Sequence, residues 1–126
     1  MDTLADSLNI IKTHELVGID ECTLRSVKIV RSVLDVLKAN GYIKSYEEVK
    51  TGKFPMLNVK LAKKINDIGA IKPRFAVRIN DYQKYELRFI PSKNFGMLIV
   101  STPEGIMTNA EAKAKHLGGR LLAYVY

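Results

Sequence analysis

The sequence predicts an α+β fold in two small lobes: an N-terminal α-β-α-β-β unit and a mostly β C-terminal unit with one short helix. Three observations carry this. The first half alternates helical and strand-like periodicities. The pattern changes near Asn66. Beyond it, Gly69, Pro73 and Pro91 punctuate short apolar runs instead of long amphipathic ones. The boundary is therefore drawn between residues 1–65, an α/β lobe, and residues 66–126, a β-rich lobe.

Taken in order, Leu4, Leu8 and Ile11 recur on one helical face and predict a helix over 3–14, with Thr3 and Asp6 resembling a capping box. The β-branched run from Val17 to Leu24 predicts a short strand. Val27, Val30, Val33, Leu34 and Leu37 make the stripe of a second helix, about 26–40, with Ser26 able to cap it and Asn40-Gly41 to stop it. Residues 42–50 and 56–62 predict a hairpin around Thr51-Gly52-Lys53, since Leu57, Val59 and Leu61 alternate with Asn58 and Lys60.

In the second lobe, Val77 to Ile79 and Tyr85 to Ile90 are predicted strands. Gly96 opens the apolar run Met97-Leu98-Ile99-Val100, a buried strand ending at Ser101-Thr102. Pro103-Glu104-Gly105 is a tight turn. Thr108-Asn109-Ala110-Glu111 has capping-box spacing and predicts a helix ending near Leu117, before Gly118-Gly119. Leu121 to Tyr126 is a final strand.

Composition narrows the function. The 126 residues are 47% hydrophobic and 26% charged, a globular composition that needs no covalent staple. A single Cys22 excludes an intramolecular disulfide and multi-cysteine zinc sites and fits a reducing compartment. Its predicted strand position makes it a small buried apolar group. No apolar stretch approaches the roughly 18 residues of a membrane span. The opening Met1-Asp2-Thr3-Leu4-Ala5-Asp6 has two acids and no basic region, unlike a secretory signal. His14 and His116 stand alone, Asp20-Glu21 reads as solvated charge, and no phosphate-binding glycine loop or nucleophile elbow occurs. Nothing assembles a nucleophile, a base and an oxyanion donor, so an enzyme is not expected. Neither a metal nor a cofactor is expected.

The net charge of +7 suggests a polyanionic partner, nucleic acid or an acidic membrane surface, or else a merely basic soluble protein, and charge alone does not choose between them. Residues 1–65 carry 11 Lys/Arg against 8 Asp/Glu and residues 66–126 carry 9 against 5, so both lobes share the excess. Lys72, Arg74, Arg78, Lys84, Arg88 and Lys93 are interleaved with Phe75, Tyr82, Tyr85 and Phe89. That mixture suits phosphate contact with stacking on exposed bases. It also suits a strand pair with one solvated and one core face. The adjacent hydroxyls of Ser101 and Thr102 can donate to and accept from base edges and ribose hydroxyls, or cap a turn. Gly118-Gly119 admits a close backbone approach beside Arg120, or ends a helix.

Together these motifs resemble the family of small-subunit ribosomal protein number eight. The resemblance runs through Asp2-Thr3-Leu4-Ala5-Asp6-Ser7-Leu8, Asn40-Gly41-Tyr42-Ile43, Ser101 to Ala112, Gly118-Gly119 and the ending Leu122-Ala123-Tyr124-Val125-Tyr126. Gly69 to Phe75 and Ile90 to Gly96 are similar to the archaeal and eukaryotic branch. The resemblance implies a two-lobed, non-enzymatic, cytoplasmic ribosomal component. It implies a primary binder of the central domain of small-subunit ribosomal RNA that aids subunit assembly, monomeric within the subunit and touching neighbouring ribosomal proteins. Carried over from the family, Ser101, Thr102, Gly118, Gly119 and Lys28 are the implied RNA-binding residues; the residue reading adds Gly105 and Arg120 beside them and the basic Lys72, Arg74 and Lys93 as phosphate contacts. Pro103 stands where the family often has a third hydroxyl, Val27 where it usually has Ser, and Arg120 where bacterial members often have an acid. The rival expectation is a basic protein–protein adaptor without RNA preference.

Overall fold

Apolar spacing, helix stops and strand alternation build two units in the computed structural model, Met1–Asn66 and Asp67–Tyr126. The structure describes residues 3–50, 52–92 and 95–126. The elements are mixed α and β throughout, the α+β class the sequence predicts.

In the first unit, α1 (Thr3–Val17), β1 (Glu21–Arg25), α2 (Lys28–Ala39), β2 (Ile43–Val49) and β3 (Met56–Leu61) follow one another. The strands form an antiparallel sheet ordered β1-β3-β2, with Cys22 opposite Val59 and Leu24 opposite Leu57. These side chains alternate with exposed Glu21, Thr23 and Arg25. α1 packs on β1 and α2 on β2. Leu4, Leu8, Ile11, Leu34 and Leu37 are almost wholly buried, each contributing about 1.5–3 kcal/mol relative to exposure.

Three expectations for this unit are corrected. α1 runs on to Val17, so the strand expected from Val17 begins only at Glu21. The stop is Gly18, at φ +78°, where the Ile19 N–H reaches the His14 carbonyl at 3.0 Å. Ser26 does not cap α2: the N-cap is Val27, with no side-chain bond. The Ser26 hydroxyl instead donates to Glu48 and accepts from Arg31, both at 3.0 Å. Asn40-Gly41 does end α2, with Gly41 at φ +80° and the Tyr42 N–H on the Leu37 carbonyl. Thr3 is itself helical, and the residues before it, Asp2 included, lie outside the described ones. Thr51 of the expected hairpin turn also lies outside them.

The second unit contains β4 (Ile68–Ala70), β5 (Ala76–Val77), a 3-10 turn (Ile79–Asp81), α3 (Tyr82–Phe89), β6 (Met97–Thr102), β7 (Gly105–Thr108), α4 (Asn109–Ala114) and β8 (Gly119–Val125). Its antiparallel sheet runs β4-β8-β6-β7, with β5 also paired to β8. The expected strand Tyr85 to Ile90 is the helix α3. Tyr82, Tyr85, Glu86 and Phe89 fall at i, i+3, i+4 and i+7, and this is the face turned inward. The strand expected from Val77 to Ile79 stops after Val77, because the Asp81 carboxylate accepts the Arg78 N–H at 3.0 Å and starts a turn. β4 and β7 have no counterpart among the strands the sequence predicts.

Thr108 caps α4 by accepting the Glu111 N–H at 3.1 Å. The helix ends at Ala114, short of the expected Leu117. His116 adopts φ +57°, and the Leu117 N–H bonds the Ala112 carbonyl at 2.8 Å. This is a glycine-type helix ending carried by histidine. The core gathers Leu98, Val100, Leu121, Met107, Ile71 and Tyr82.

Candidate nucleic-acid interface

The hairpin β6–β7 turns through Pro103-Glu104, with Thr102 opposite Gly105 and Ser101 opposite Ile106. Its two hydroxyls do different things, because consecutive strand residues face opposite sides. Thr102 is 8% exposed. Its hydroxyl donates to the Gly105 carbonyl at 2.7 Å and accepts the Glu104 N–H at 3.2 Å, so it braces the turn from inside. Ser101 is half-buried on the other face, and its hydroxyl has no hydrogen-bond partner among the described residues. Gly105 takes φ +124°, in the left-handed region that favours glycine.

Across the sheet from Ser101 lies Arg120, and beyond Arg120 lies Ala76. Ile106, Ser101, Arg120 and Ala76 thus form one row on the face opposite Val100, Met107 and Leu121. The Arg120 guanidinium donates to the Arg74 carbonyl at 3.3 Å, which holds the arginine along the row and leaves donors outward. Lys72 and Arg74 are exposed on the stretch between β4 and β5.

The glycine pair has an internal reason. A methyl group on Gly119 would sit 2.1 Å from the Ser101 carbonyl oxygen, and one on Gly118 would sit 2.6 Å from the Val77 carbonyl oxygen. The backbone that approaches closely is the chain's own. It brings β8 against β6 just past a register shift between Ile99 and Val100.

The structure therefore gathers Ser101, Thr102, Gly105, Gly119 and Arg120 in one place, with Arg74 reached through Arg120 and Gly118 through Val77. Lys28 stands in the other unit, as the exposed first residue of α2. The first turn of that helix holds no acid, so its positive end is not neutralised by its own side chains. Lys93 lies outside the described residues.

The interleaved aromatics of 72–93 pack mainly inward. Phe75 stacks on Tyr85 with centroids 5.3 Å apart, and Phe89 stacks on Tyr124 at 5.9 Å. Arg88 lies over both Phe75 and Phe89, at 5.3 and 5.2 Å, and Lys84 lies 5.5 Å from the Tyr85 ring. Tyr124 reaches over Gly69 to donate to Asp67 at 3.2 Å. Of the two readings of this stretch, the geometry favours rings on the core and cations outside.

A buried polar group that sequence reasoning missed sits behind the hairpin. Glu86 is 6% exposed. It accepts from Asn109 and from the Lys113 ammonium at 2.8 Å, while the Asn109 carbonyl accepts the Leu98 N–H at 3.1 Å. Three elements, α3, α4 and β6, are pinned by this one network. The only signal in the sequence is an acid at an inward position of α3, visible once α3 is known to be a helix.

Elsewhere the chemistry is quiet. Cys22 is 4% exposed, and burial together with the Glu15 carboxylate pushes its thiol up to about 11. Burial also raises Glu15, against the pull of Lys63. The exposed Asp20–Lys63 pair at 3.0 Å contributes little. No cluster that could hold a metal ion occurs among the described residues.

The family model described as Ribosomal protein S8 matches residues 2–126. The chain is similar to the small ribosomal subunit protein uS8 of Methanococcoides burtonii, 45% identical over 127 residues, covering 100% of this chain and 98% of that protein. That relative is archaeal, in agreement with the branch suggested by Gly69 to Phe75.

Proposed function

This chain belongs to the ribosomal protein S8 family, and we propose that it binds the central domain of small-subunit ribosomal RNA and helps that domain fold during assembly. The coarser role, a non-enzymatic structural component of the small ribosomal subunit in the cytoplasm, comes with the family. RNA and neighbouring ribosomal proteins are its partners there.

The observation that carries the finer reading is the Ser101–Arg120 row. One hydroxyl without a partner among the described residues stands beside a guanidinium on a sheet whose spacing Gly119 fixes. The A-form major groove is too narrow to read, so recognition goes through the wide minor groove and through bulged bases. A neutral hydroxyl beside Arg120 matches a ribose 2′-OH next to a phosphate. Lys72, Arg74 and Lys28 add phosphate contacts and counterion release, which give affinity that falls with salt. Ser101 and the backbone beside Gly119 add shape.

The experiment is a titration of the protein with a central-domain ribosomal RNA fragment, with an unrelated RNA duplex as competitor, at several salt concentrations. Preference for the fragment that survives rising salt supports the reading. Equal, steeply salt-sensitive binding to both leaves charge alone acting and favours a basic adaptor without RNA specificity. Lys72→Ala with Arg74→Ala lowers the salt slope by about 1–2; an unchanged slope removes those two from the phosphate set.

A further inference from the structure

The β2–β3 hairpin tip in the N-terminal unit carries a feature that the Ser101–Arg120 row does not account for. Phe54 is 54% exposed. The guanidinium of Arg25, from the end of β1, lies 5.0 Å from its ring centroid. The Ser26 N–H donates to the Pro55 carbonyl at 3.2 Å, and Arg25 pairs with Met56 in register, so the stem below the ring is fixed to β1. Lys53 is exposed beside it. Neither Arg25 nor Lys53 has a carboxylate partner among the described residues. The nearby acid Glu48 is already engaged by Ser26 at 3.0 Å and Arg31 at 3.5 Å.

A half-exposed phenyl ring with a cation against it is poor at stabilising a monomer: it leaves apolar surface in water, and an exposed cation–π contact returns only a little. The same arrangement suits a flat, anionic ligand. The geometry points to a stacking site for an unpaired nucleotide of ribosomal RNA, with the base on the Phe54–Arg25 pair and the flanking phosphate near Lys53. The class follows from the chemistry. Every base offers a π-face whatever its sequence, and the charged groups at the site are cations that match a phosphate. An acidic peptide would satisfy the cations but would leave the flat ring without a matching surface. This inference rests on the ribosomal RNA reading and adds a second contact to it, in the unit that holds Lys28. At the Ser101–Arg120 row the contact is through donors and acceptors; here it is through a ring face.

The test uses the full-length protein and four variants, Phe54→Ala, Phe54→Trp, Arg25→Ala and Ser101→Ala, titrated with the central-domain fragment and with a fully paired RNA duplex. Phe54→Ala weakens the fragment by roughly tenfold and leaves the duplex unchanged. Phe54→Trp restores the affinity, because a larger ring stacks at least as well. Arg25→Ala shares the loss and lowers the salt slope by about one. Fragment affinity unchanged in Phe54→Ala, while Ser101→Ala loses it, overturns the stacking site and spares the ribosomal RNA reading. A loss that Phe54→Trp does not restore also overturns it, since a ring face is then not what binds. No preference of the unaltered protein for the fragment over the duplex overturns both.

Discussion

At the β6–β7 tip the Thr102 hydroxyl ties the turn to itself by two hydrogen bonds, and Asn109 and Glu86 hold the strand below. At the β2–β3 tip nothing comparable among the described residues closes over Phe54, which stands half in water with Arg25 against it. The first hairpin is set before any ligand arrives, so binding there needs little further ordering of the chain. The second is fixed at its stem by Ser26–Pro55 and Arg25–Met56 and offers a ring and cations. The contrast teaches that buried polar groups in this molecule are spent where geometry must be exact to a fraction of an ångström. Where stacking tolerates a range of positions, the surface is left simple.

The strongest way to break that contrast is to disturb the spacing beneath Ser101. Gly119→Ala places a methyl group against the Ser101 carbonyl oxygen, a backbone atom that cannot swing aside. A loss of about 3 kcal/mol in urea denaturation is expected, at the upper end of overpacking costs. A loss of a few tenths would mean that β6 and β8 separate easily and that the row is not rigid. Gly52→Ala at the other hairpin is the control: open space surrounds that position, so only its φ of +95° resists.

Next in size is the network behind the hairpin. Glu86→Ala leaves the Asn109 amide without its acceptor and the Lys113 ammonium without its carboxylate. About 2 kcal/mol of stability is expected to go, less than for a fully buried ion pair because Lys113 is partly in solvent. Chemical shifts at Ser101 and Thr102 should move with it. Unchanged shifts would separate the network from the hairpin.

Smaller again is the division between the two adjacent hydroxyls. Thr102→Val costs about 1 kcal/mol, from one lost hydrogen-bond donor and acceptor. Ser101→Ala leaves stability within about 0.5 kcal/mol, since that hydroxyl bonds nothing among the described residues. It weakens the cognate RNA fragment more than a generic duplex. The reverse assignment, with Thr102 the reader and Ser101 the brace, is excluded if both halves of this pattern appear.

That division was not legible in the sequence, and the reason is physical. Ser101-Thr102 reads as two hydroxyls until the register of β6 against β7 decides which one faces in. Gly118-Gly119 reads as a helix end until two strands are seen to crowd there. The true ending of α4 was hidden because His116, not a glycine, takes the left-handed conformation. The end of α2 was legible because Gly41 does so. The Thr108 cap was legible for the same reason, a local rule with a local signal. Tyr85 to Ile90 misled because its inward helical face includes Glu86, which breaks the apolar spacing and leaves a strand-like alternation. Local signals gave the Thr108 cap and the Gly41 stop. What depends on contacts distant in sequence had to be seen.

The smallest expected effect concerns the sheet that carries the simpler hairpin, whose inward face includes Cys22 opposite Val59. Burial, with the nearby Glu15 carboxylate, pushes the Cys22 thiol up to about 11 in the folded chain, from an ordinary 9.0. Between those values the unfolded chain has released a proton that the folded chain retains, so stability falls as pH rises through this window and is unaffected below it. At pH 9.5 the loss relative to pH 8 is about 0.8 kcal/mol. Other groups titrate there too, so the measurement is the difference in slope between the unaltered protein and Cys22→Ala, which carries no thiol. A matching slope in the two would mean that the thiol is reached by water in the folded sheet. A slope present only with Cys22 shows that the sheet beneath Phe54 is closed to water.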